Sequence, residues 1–506
     1  MASGSVLDAR SVNDPDLAAH VVDAGRARAL PILLGSILVM GAVIRLAASD
    51  ISLWFDETAS LAFAREPLGH LWGDWMLRET NPPLFYTFLK GWIGIVGGSD
   101  AALRGLPILI GLGGVVAMFL LARAIGGPRA GLLGAALLAL SAAHVDFSLQ
   151  LRGYGLGHTA VMFASLGMVL FLQRRAAGAL ILYAAAAAVA LYSHTTLLLF
   201  VLLANGAMVV LLRHDRPALA RWIGVNLVVA LLWSWWGWIT FRQLGLPHNF
   251  SWIAVPSAAD AWLITKTAYL PAYHRSGTSG GDVLLLAALV VAAGMAVRRR
   301  SPELILLAVL ALGGPLLFFV ISLHTPILLP RTLFWASGPL IALVATSVTA
   351  MPDRRLSAIV AAALLAVSAV GLVMWWPDRE SEDWRGAARV VREQGPGVDI
   401  IVADDSVALA LAHYLSDRGA SIVVVDDPGT GHERWASGMF DGRHVDQGEA
   451  RALLRQRCSA LFVARGGYDA LPVVVPGRVG VQQFAGVVNP AVALWQGDCE
   501  PDARPR

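Results

Sequence analysis

Two adjacent carboxylates, Asp56 and Glu57, stand in the stretch SLWFDETAS, just after an apolar run, Pro31–Ala48, of about spanning length. Acids at a membrane boundary are costly to desolvate unless something uses them. Arg152, in HVDFSLQLRGYGLGH, and Arg331, in SLHTPILLPRTLF, break the trend that keeps positive charge out of short outer loops. Such exceptions tend to have a partner. At headgroup depth an Arg fork suits a phosphate, to which it donates two hydrogen bonds. Plainer readings stand beside these. Acids in the first turn of a helix DETASLAFA favour its dipole, and each Arg could simply meet bulk lipid headgroups.

The elements that must position these residues follow from composition. The chain has 506 residues, 56% hydrophobic and 15% charged, with a mean hydropathy of +0.62. No soluble domain of that length buries so much apolar surface, so a polytopic, all-α membrane protein is expected. The net charge is +3. Its basic residues cluster between apolar runs, which speaks against nucleic acid as a partner. Spanning runs are read at Pro31–Ala48, Gly105–Ile125, Gly131–Phe147, Leu156–Gln173, Gly178–Tyr192, Thr195–Leu212 and Trp222–Thr240, then at Val283–Val297, Glu303–Leu323, Thr332–Ala350 and Leu356–Trp376. That makes about eleven, the first an uncleaved span and not a signal peptide. The Arg-rich connections ARAIGGPRA, QRRAAG, RHDRPALAR, VRRRSP and PDRR alternate as inside loops, and the N-terminus is inside with them.

NPPLFYTFLKGWIGIVG, Asn81–Gly97, could pass for a twelfth span. Counting it would turn every later Arg-rich loop outward, so it is read as a helix lying at the outer surface. Its Pro pair suits a first helical turn, and Lys90 sits among aromatics as an interfacial residue would. The stretch Asp50–Arg104 is then one large outer loop of short juxtamembrane helices. The outer loops together hold Asp56, Glu57, Arg78, Glu79, Asn81, Lys90 and Arg104, then His144, Asp146, Gln150, Arg152, Tyr154 and His158, then His194. Arg242, His248, Lys266, His274, Arg275, His324 and Arg331 follow. Trp233, Trp235, Trp236 and Trp238 read as an interfacial belt.

No CxxC or HExxH spacing points to a metal, and no P-loop or GxGxxG after a strand points to a soluble nucleotide donor. No cofactor is expected with any firmness; a divalent cation stays open. After Trp376 the composition turns soluble. Runs such as VDIIVAD, SVALALAHYLSDRG and SIVVVDD alternate in a βαβ rhythm. The expected organisation is a cytoplasmic tail at 1–29, a transmembrane part at 30–376 and a small extracytoplasmic α/β domain at 377–506. Asp404, Asp405, Asp426 and Asp427 end apparent strands there, as turn residues or ligand contacts. Cys458 and Cys499 lie in the same tail, where an oxidising compartment would allow a disulfide.

Residues 30–376 resemble the GT-C superfamily of membrane glycosyltransferases, in the branch of protein O-mannosyltransferases and bacterial aminoarabinose transferases that use polyprenyl-phosphate sugars. The resemblance rests on FDE opening the first outer loop, NPPLFY on a horizontal helix, RGYGL from Arg152 to Leu156, Tyr192–His194 as YxH, PRTLF at a late span, and EDWRGAA after the last one. Asn81 stands where the family pattern has His, and Thr332 where Tyr is commoner. The resemblance implies an inverting glycosyltransferase in the cytoplasmic membrane. A sugar on polyprenyl phosphate would pass to an acceptor hydroxyl of a glycan, lipid or protein at the outer face. Asp56 would act as base with Glu57 orienting it or the acceptor. Arg152, Arg331 and Lys90 would hold the donor phosphate, and Asn81, Tyr154 and His194 would bind substrate. Two rivals remain: a transporter or flippase of a lipid-linked sugar, which also needs many spans and buried charge, and a non-catalytic assembly protein.

Overall fold

The computed structural model describes residues 15–243, 253–270 and 279–395, and in the C-terminal part 399–402, 405–416, 422–426, 440, 442–456, 459–465, 478–483 and 490–496. His248, His274, Arg275, Asp404, Asp427, Cys458 and Cys499 lie outside the described residues.

The helices in chain order are α1 (Pro15–Ala48), α2 (Phe55–Arg65), α3 (Leu68–Leu71), α4 (Leu84–Val96), α5 (Asp100–Leu140), α6 (Ala142–Phe147), α7 (Tyr154–Arg174), α8 (Ala177–Leu191), α9 (Leu197–Leu212) and α10 (Arg216–Gln243). They continue as α11 (Ala258–Tyr269), α12 (Ser279–Arg299), α13 (Pro302–Ser322), α14 (Pro330–Leu333), α15 (Ser337–Thr349), α16 (Arg354–Trp375) and α17 (Trp384–Glu393). The chain is a multi-pass membrane protein: eight helical stretches among the described residues are long and apolar enough to cross a bilayer. The 41-residue α5 would be about 60 Å long if straight, twice the hydrocarbon thickness. It instead reverses at Gly127, whose φ of 78° is open to glycine and strained for other residues, with Pro128 restarting the helix. The two arms pack closely: a Cβ on Gly131 would lie 2.8 Å from the carbonyl of Phe119. The sequence predicts about eleven passes; the reversal within α5 splits one of the eight long stretches into two arms, and α8 and α9 are apolar but shorter, at 15 and 16 residues.

Two sets of loops separate to opposite ends of this bundle. At one end Arg175 pairs with Asp215 at 2.9 Å, Gln173 reaches the carbonyl of Ala124, and Arg299 reaches that of Ala350. At the other end Arg104 meets Glu57 and the carbonyl of Leu149, Thr195 meets the carbonyl of Thr80, and Arg331 approaches Asp56. α4 stays at that second end. At 13 residues it is about 20 Å long, short of a crossing. Its last turn is tied by Trp92 Nε1 to the carbonyl of Ala102, at the start of the next helix. A topology test follows. In a Cys458→Ser, Cys499→Ser background, Arg129→Cys should resist impermeant thiol reagents in intact cells, while Ser99→Cys should react. Both positions are exposed. The opposite labelling pattern would invert the topology.

The C-terminal part adds β1 (Asp399–Val402), α18 (Asp405–Tyr414), β2 (Ile422–Asp426), β3 (Arg443–Asp446), α19 (Gln447–Gln456), β4 (Ser459–Arg465), β5 (Arg478–Gln483) and β6 (Pro490–Gln496). They form one six-stranded sheet of order β3-β2-β1-β4-β6-β5, with β3, β2, β1 and β4 parallel and β6 and β5 antiparallel at the edge. β1 and β2 read as unbroken apolar runs because such strands are covered on both faces.

Candidate active site

The two acids at the head of α2 part company. Consecutive helical residues differ by about 100° in direction, so Asp56 and Glu57 cannot face the same neighbours. Glu57 turns into the bundle and is saturated. Its Oε1 accepts from Arg104 Nη1 at 2.9 Å and from the Leu151 amide at 2.8 Å, and its Oε2 accepts from Arg104 Nη2 at 3.2 Å and the Trp54 amide at 3.1 Å. Arg104 continues to the carbonyls of Leu149 at 2.6 Å and Ser52 at 2.9 Å. Both side chains are 1% exposed. The helix-start reading therefore holds for Glu57. The expectation that Glu57 could touch the acceptor is corrected: it has no free lone pair aimed at a site. It positions Asp56 only by pinning the helix that carries it.

Asp56 keeps a carboxylate that takes no hydrogen bond among the described residues. Two guanidiniums converge on its Oδ2 from different parts of the chain, Arg152 Nε at 4.0 Å and Arg331 Nη1 at 3.8 Å. Both distances exceed hydrogen-bond range, which leaves the carboxylate approachable. Arg152 is held in place: its Nη1 donates to the Asp56 carbonyl at 3.4 Å, Ser60 Oγ at 3.2 Å and Tyr86 Oη at 3.3 Å. Tyr86 lies on α4 and stacks on Phe63 of α2, with ring centroids 4.8 Å apart. Arg331 sits in the first turn of α14 with its side chain 29% exposed, more open than Arg152. Thr332 caps that turn, giving its hydroxyl to the carbonyl of Ile327 and accepting from the Leu329 amide.

Tyr154 and His194 join the cluster. A Cβ on Gly153 would lie 2.2 Å from the Ser193 carbonyl, so only glycine allows these two loops to meet. Tyr154 then stands 5.4 Å from the His194 ring and 5.9 Å from the Arg152 guanidinium. Burial, with the positive charges of Arg152 and Arg331, lowers the His194 pKa to about 3, so the ring is neutral at neutral pH. Its Nδ1 accepts from the Thr196 amide at 3.3 Å, which places the ring proton on Nε2.

Asn81 enters through a residue whose role the sequence reading missed. Glu79 is buried and accepts from the Asn81 amide and Nδ2, both at 2.7 Å. Burial raises the Glu79 pKa, against the opposing charge of Arg152 and the two bonds from Asn81. The acid two residues before NPPL was the available signal. Lys90 does not belong here. Its ammonium donates to the carbonyls of Ala64, Arg65 and Glu66 at 3.3, 3.4 and 3.0 Å, capping the far end of α2, about 13 Å along the helix from Asp56. The expected phosphate contact from Lys90 is thus corrected. Trp236 is corrected as well: it is buried and donates to Thr195 Oγ1, so it is no belt residue. No group of three or more His, Cys, Asp or Glu that could hold a metal ion occurs among the described residues.

A family described as dolichyl-phosphate-mannose-protein mannosyltransferase matches residues 80–238. That span takes in NPPLFY, RGYGL and YSH and leaves out Asp56 and Arg331. The structure is similar to that of ArnT from Cupriavidus metallidurans in the apo state, with 13% identity over 92% of this chain and 98% of that one and a TM-score of 0.60. It is likewise similar to the same protein bound to undecaprenyl phosphate, with 14% identity over 91% and 97% of the two chains and a TM-score of 0.58. No curated protein sequence matches the chain. The fold is thus the one expected from the resemblance to GT-C glycosyltransferases, a helical membrane body with a small C-terminal sheet.

Proposed function

We propose that this protein is an inverting glycosyltransferase that moves a sugar from a polyprenyl-phosphate donor to an acceptor hydroxyl at the outer face of the cytoplasmic membrane. The observation that carries this reading is the Asp56 carboxylate, without a hydrogen bond among the described residues and flanked by Arg152 and Arg331 at the end of the bundle. The acceptor oxygen attacks the anomeric carbon while its proton passes to Asp56. The bond from that carbon to the phosphate oxygen breaks, and its electron pair stays on the lipid phosphate, where the arginines stabilise the added charge. One displacement inverts the anomeric centre. Arg152 and Arg331 stand 4.0 and 3.8 Å from the Asp56 carboxylate, close enough to serve a phosphate beside it and too far to occupy its lone pairs. An apolar cleft between α11, α12, α15 and α16, lined by Tyr269, Leu285, Leu340, Val344 and Leu364, offers the lipid chain a dry surface. The similar ArnT from Cupriavidus metallidurans is known bound to undecaprenyl phosphate, the kind of lipid phosphate that such a donor would leave behind.

Radiolabelled sugar supplied as polyprenyl-phosphate sugar to the detergent-purified protein, with mixed envelope acceptors, tests the proposal. Transfer of label off the lipid is the expected result. Movement of intact lipid-linked sugar across vesicles without cleavage would favour a flippase instead. Arg331 allows a finer test. Its fork should grip phosphate in a way that Lys cannot fully copy. Arg331→Ala should lose about 2–4 kcal/mol of transition-state stabilisation, Arg331→Lys less, with acceptor affinity little changed. Unchanged kinetics across donor concentrations in Arg331→Ala would place the phosphate elsewhere.

A further inference from the structure

Residues 52–54, just before α2, belong to neither helix nor strand, and Phe55 opens α2, where an amide has no partner within the helix, so these amides need partners from elsewhere. Those partners come from the far end of the sequence. The Ser52 amide donates to Glu380 Oε1 at 2.8 Å, the Leu53 amide to Tyr414 Oη at 2.7 Å, and the Phe55 amide to Glu382 Oε2 at 3.1 Å. The Trp54 amide between them goes to Glu57. Glu382 is itself fixed by Trp384 Nε1 at 2.6 Å and Arg465 Nε at 2.5 Å, and the Arg465 guanidinium lies 4.2 Å over the Phe55 ring.

A second anchor stands beside this one. Asp100, at the start of α5, receives Tyr414 Oη at 2.8 Å, His413 Nε2 at 2.9 Å, and Arg385 through Nη2 at 2.8 Å and Nε at 3.1 Å. Arg385 also reaches Asp50 at 2.7 Å, and its amide donates to Ser52 Oγ. Tyr414 thus bridges Asp100 and Leu53 through one hydroxyl. Meanwhile α18 lies along α2: Leu409, Ala412 and His413 face Thr58, Leu61, Ala62 and Arg65. At 100° per residue that is the side of α2 away from Asp56.

We propose that the C-terminal sheet region is a clamp on the catalytic helix, with Glu380, Glu382, Arg385 and Tyr414 as positioning residues for Asp56. Asp56 is the residue immediately after the last clamped amide, so any slack in 52–55 passes straight to its carboxylate. The chemistry requires that carboxylate in hydrogen-bond reach of the acceptor, and a displacement of about 1 Å can lower turnover by about 100-fold. The clamp residues bond to the backbone at 52–55 and to Asp50 and Asp100 and not to the Asp56 carboxylate, which separates them from Arg152 and Arg331. Its catalytic part rests on the transferase reading above; its mechanical part does not.

The test uses the full-length protein and two mild variants, Tyr414→Phe and Glu380→Ala. Hydrogen exchange of the peptide covering 50–58 should speed up about tenfold or more in both, with α7 unchanged. The turnover number should fall about tenfold or more while the donor KM stays within about twofold, because binding groups are untouched. Arg385→Lys should retain more turnover than Arg385→Ala. Unchanged exchange in 50–58 overturns the clamp, whatever the activity. Faster exchange with full turnover overturns the positioning role. If the wild-type protein transfers no sugar at all, the function proposed above fails, while the exchange result still decides whether the clamp exists.

Discussion

Asp56→Asn is expected to lower sugar transfer by about 100-fold or more in a protein that folds normally. The change keeps the shape of the side chain and removes its ability to take a proton. Folding should survive because no hydrogen bond among the described residues ends on this carboxylate, and its nearest charged neighbours stand at 3.8 and 4.0 Å. Donor binding should not weaken, since the arginines lose a competitor for the phosphate. The measurement is turnover with saturating polyprenyl-phosphate sugar, paired with the unfolding temperature in the same detergent. Near wild-type turnover in a folded Asp56→Asn protein would remove Asp56 from the role of base. Glu79 would then be the next carboxylate to consider, being buried and within reach of the charge on Arg152.

The second large effect is on stability. Arg104→Ala should destabilise the protein by about 3–5 kcal/mol, because it strands Glu57 as a buried charge without its partner. Arg104 also holds the carbonyls of Leu149 and Ser52, so the first and second loops at this end lose their common tie. Adding Glu57→Gln to Arg104→Ala should recover part of the loss, since the uncompensated charge is gone. Lys90→Ala serves as a comparison. It removes a partly exposed cap on three carbonyls and should lose about 1 kcal/mol or less. The check is the unfolding temperature or the half-life at fixed temperature in one detergent. Equal values for wild type and Arg104→Ala would show that the pair is not structural.

Much of this architecture was legible in the chain because a bilayer enforces simple rules. Apolar runs must be long enough to cross, and Arg-rich loops alternate with the others. These rules recover a many-helix membrane body, and they leave Asn81–Gly97 out of its spans, a stretch that folds as the short α4. They also collect Asp56, Arg152, Tyr154, His194 and Arg331 at one end, where the structure brings them into a single cluster. The missing parts are of another kind. Nothing in the spacing of FDE says which acid faces inward; Glu57 is claimed by Arg104 and Leu151, residues nearly 50 and 100 positions away. Lys90 reads as a phosphate ligand by type and depth, yet three carbonyls at the end of α2 take it first.

The sequence by itself therefore determined the fold class and the end of the bundle where the polar residues gather. Each of these depends on hydropathy and charge summed over whole segments, and such sums do not require knowing what touches what. Only the tertiary structure decided which of the gathered groups remain available for chemistry. A buried polar group is silenced or freed by the particular atoms within about 3 Å of it, and those atoms come from distant parts of the chain. The same reason hid the tie between Tyr414 and Leu53, which joins residues 361 positions apart through one hydroxyl.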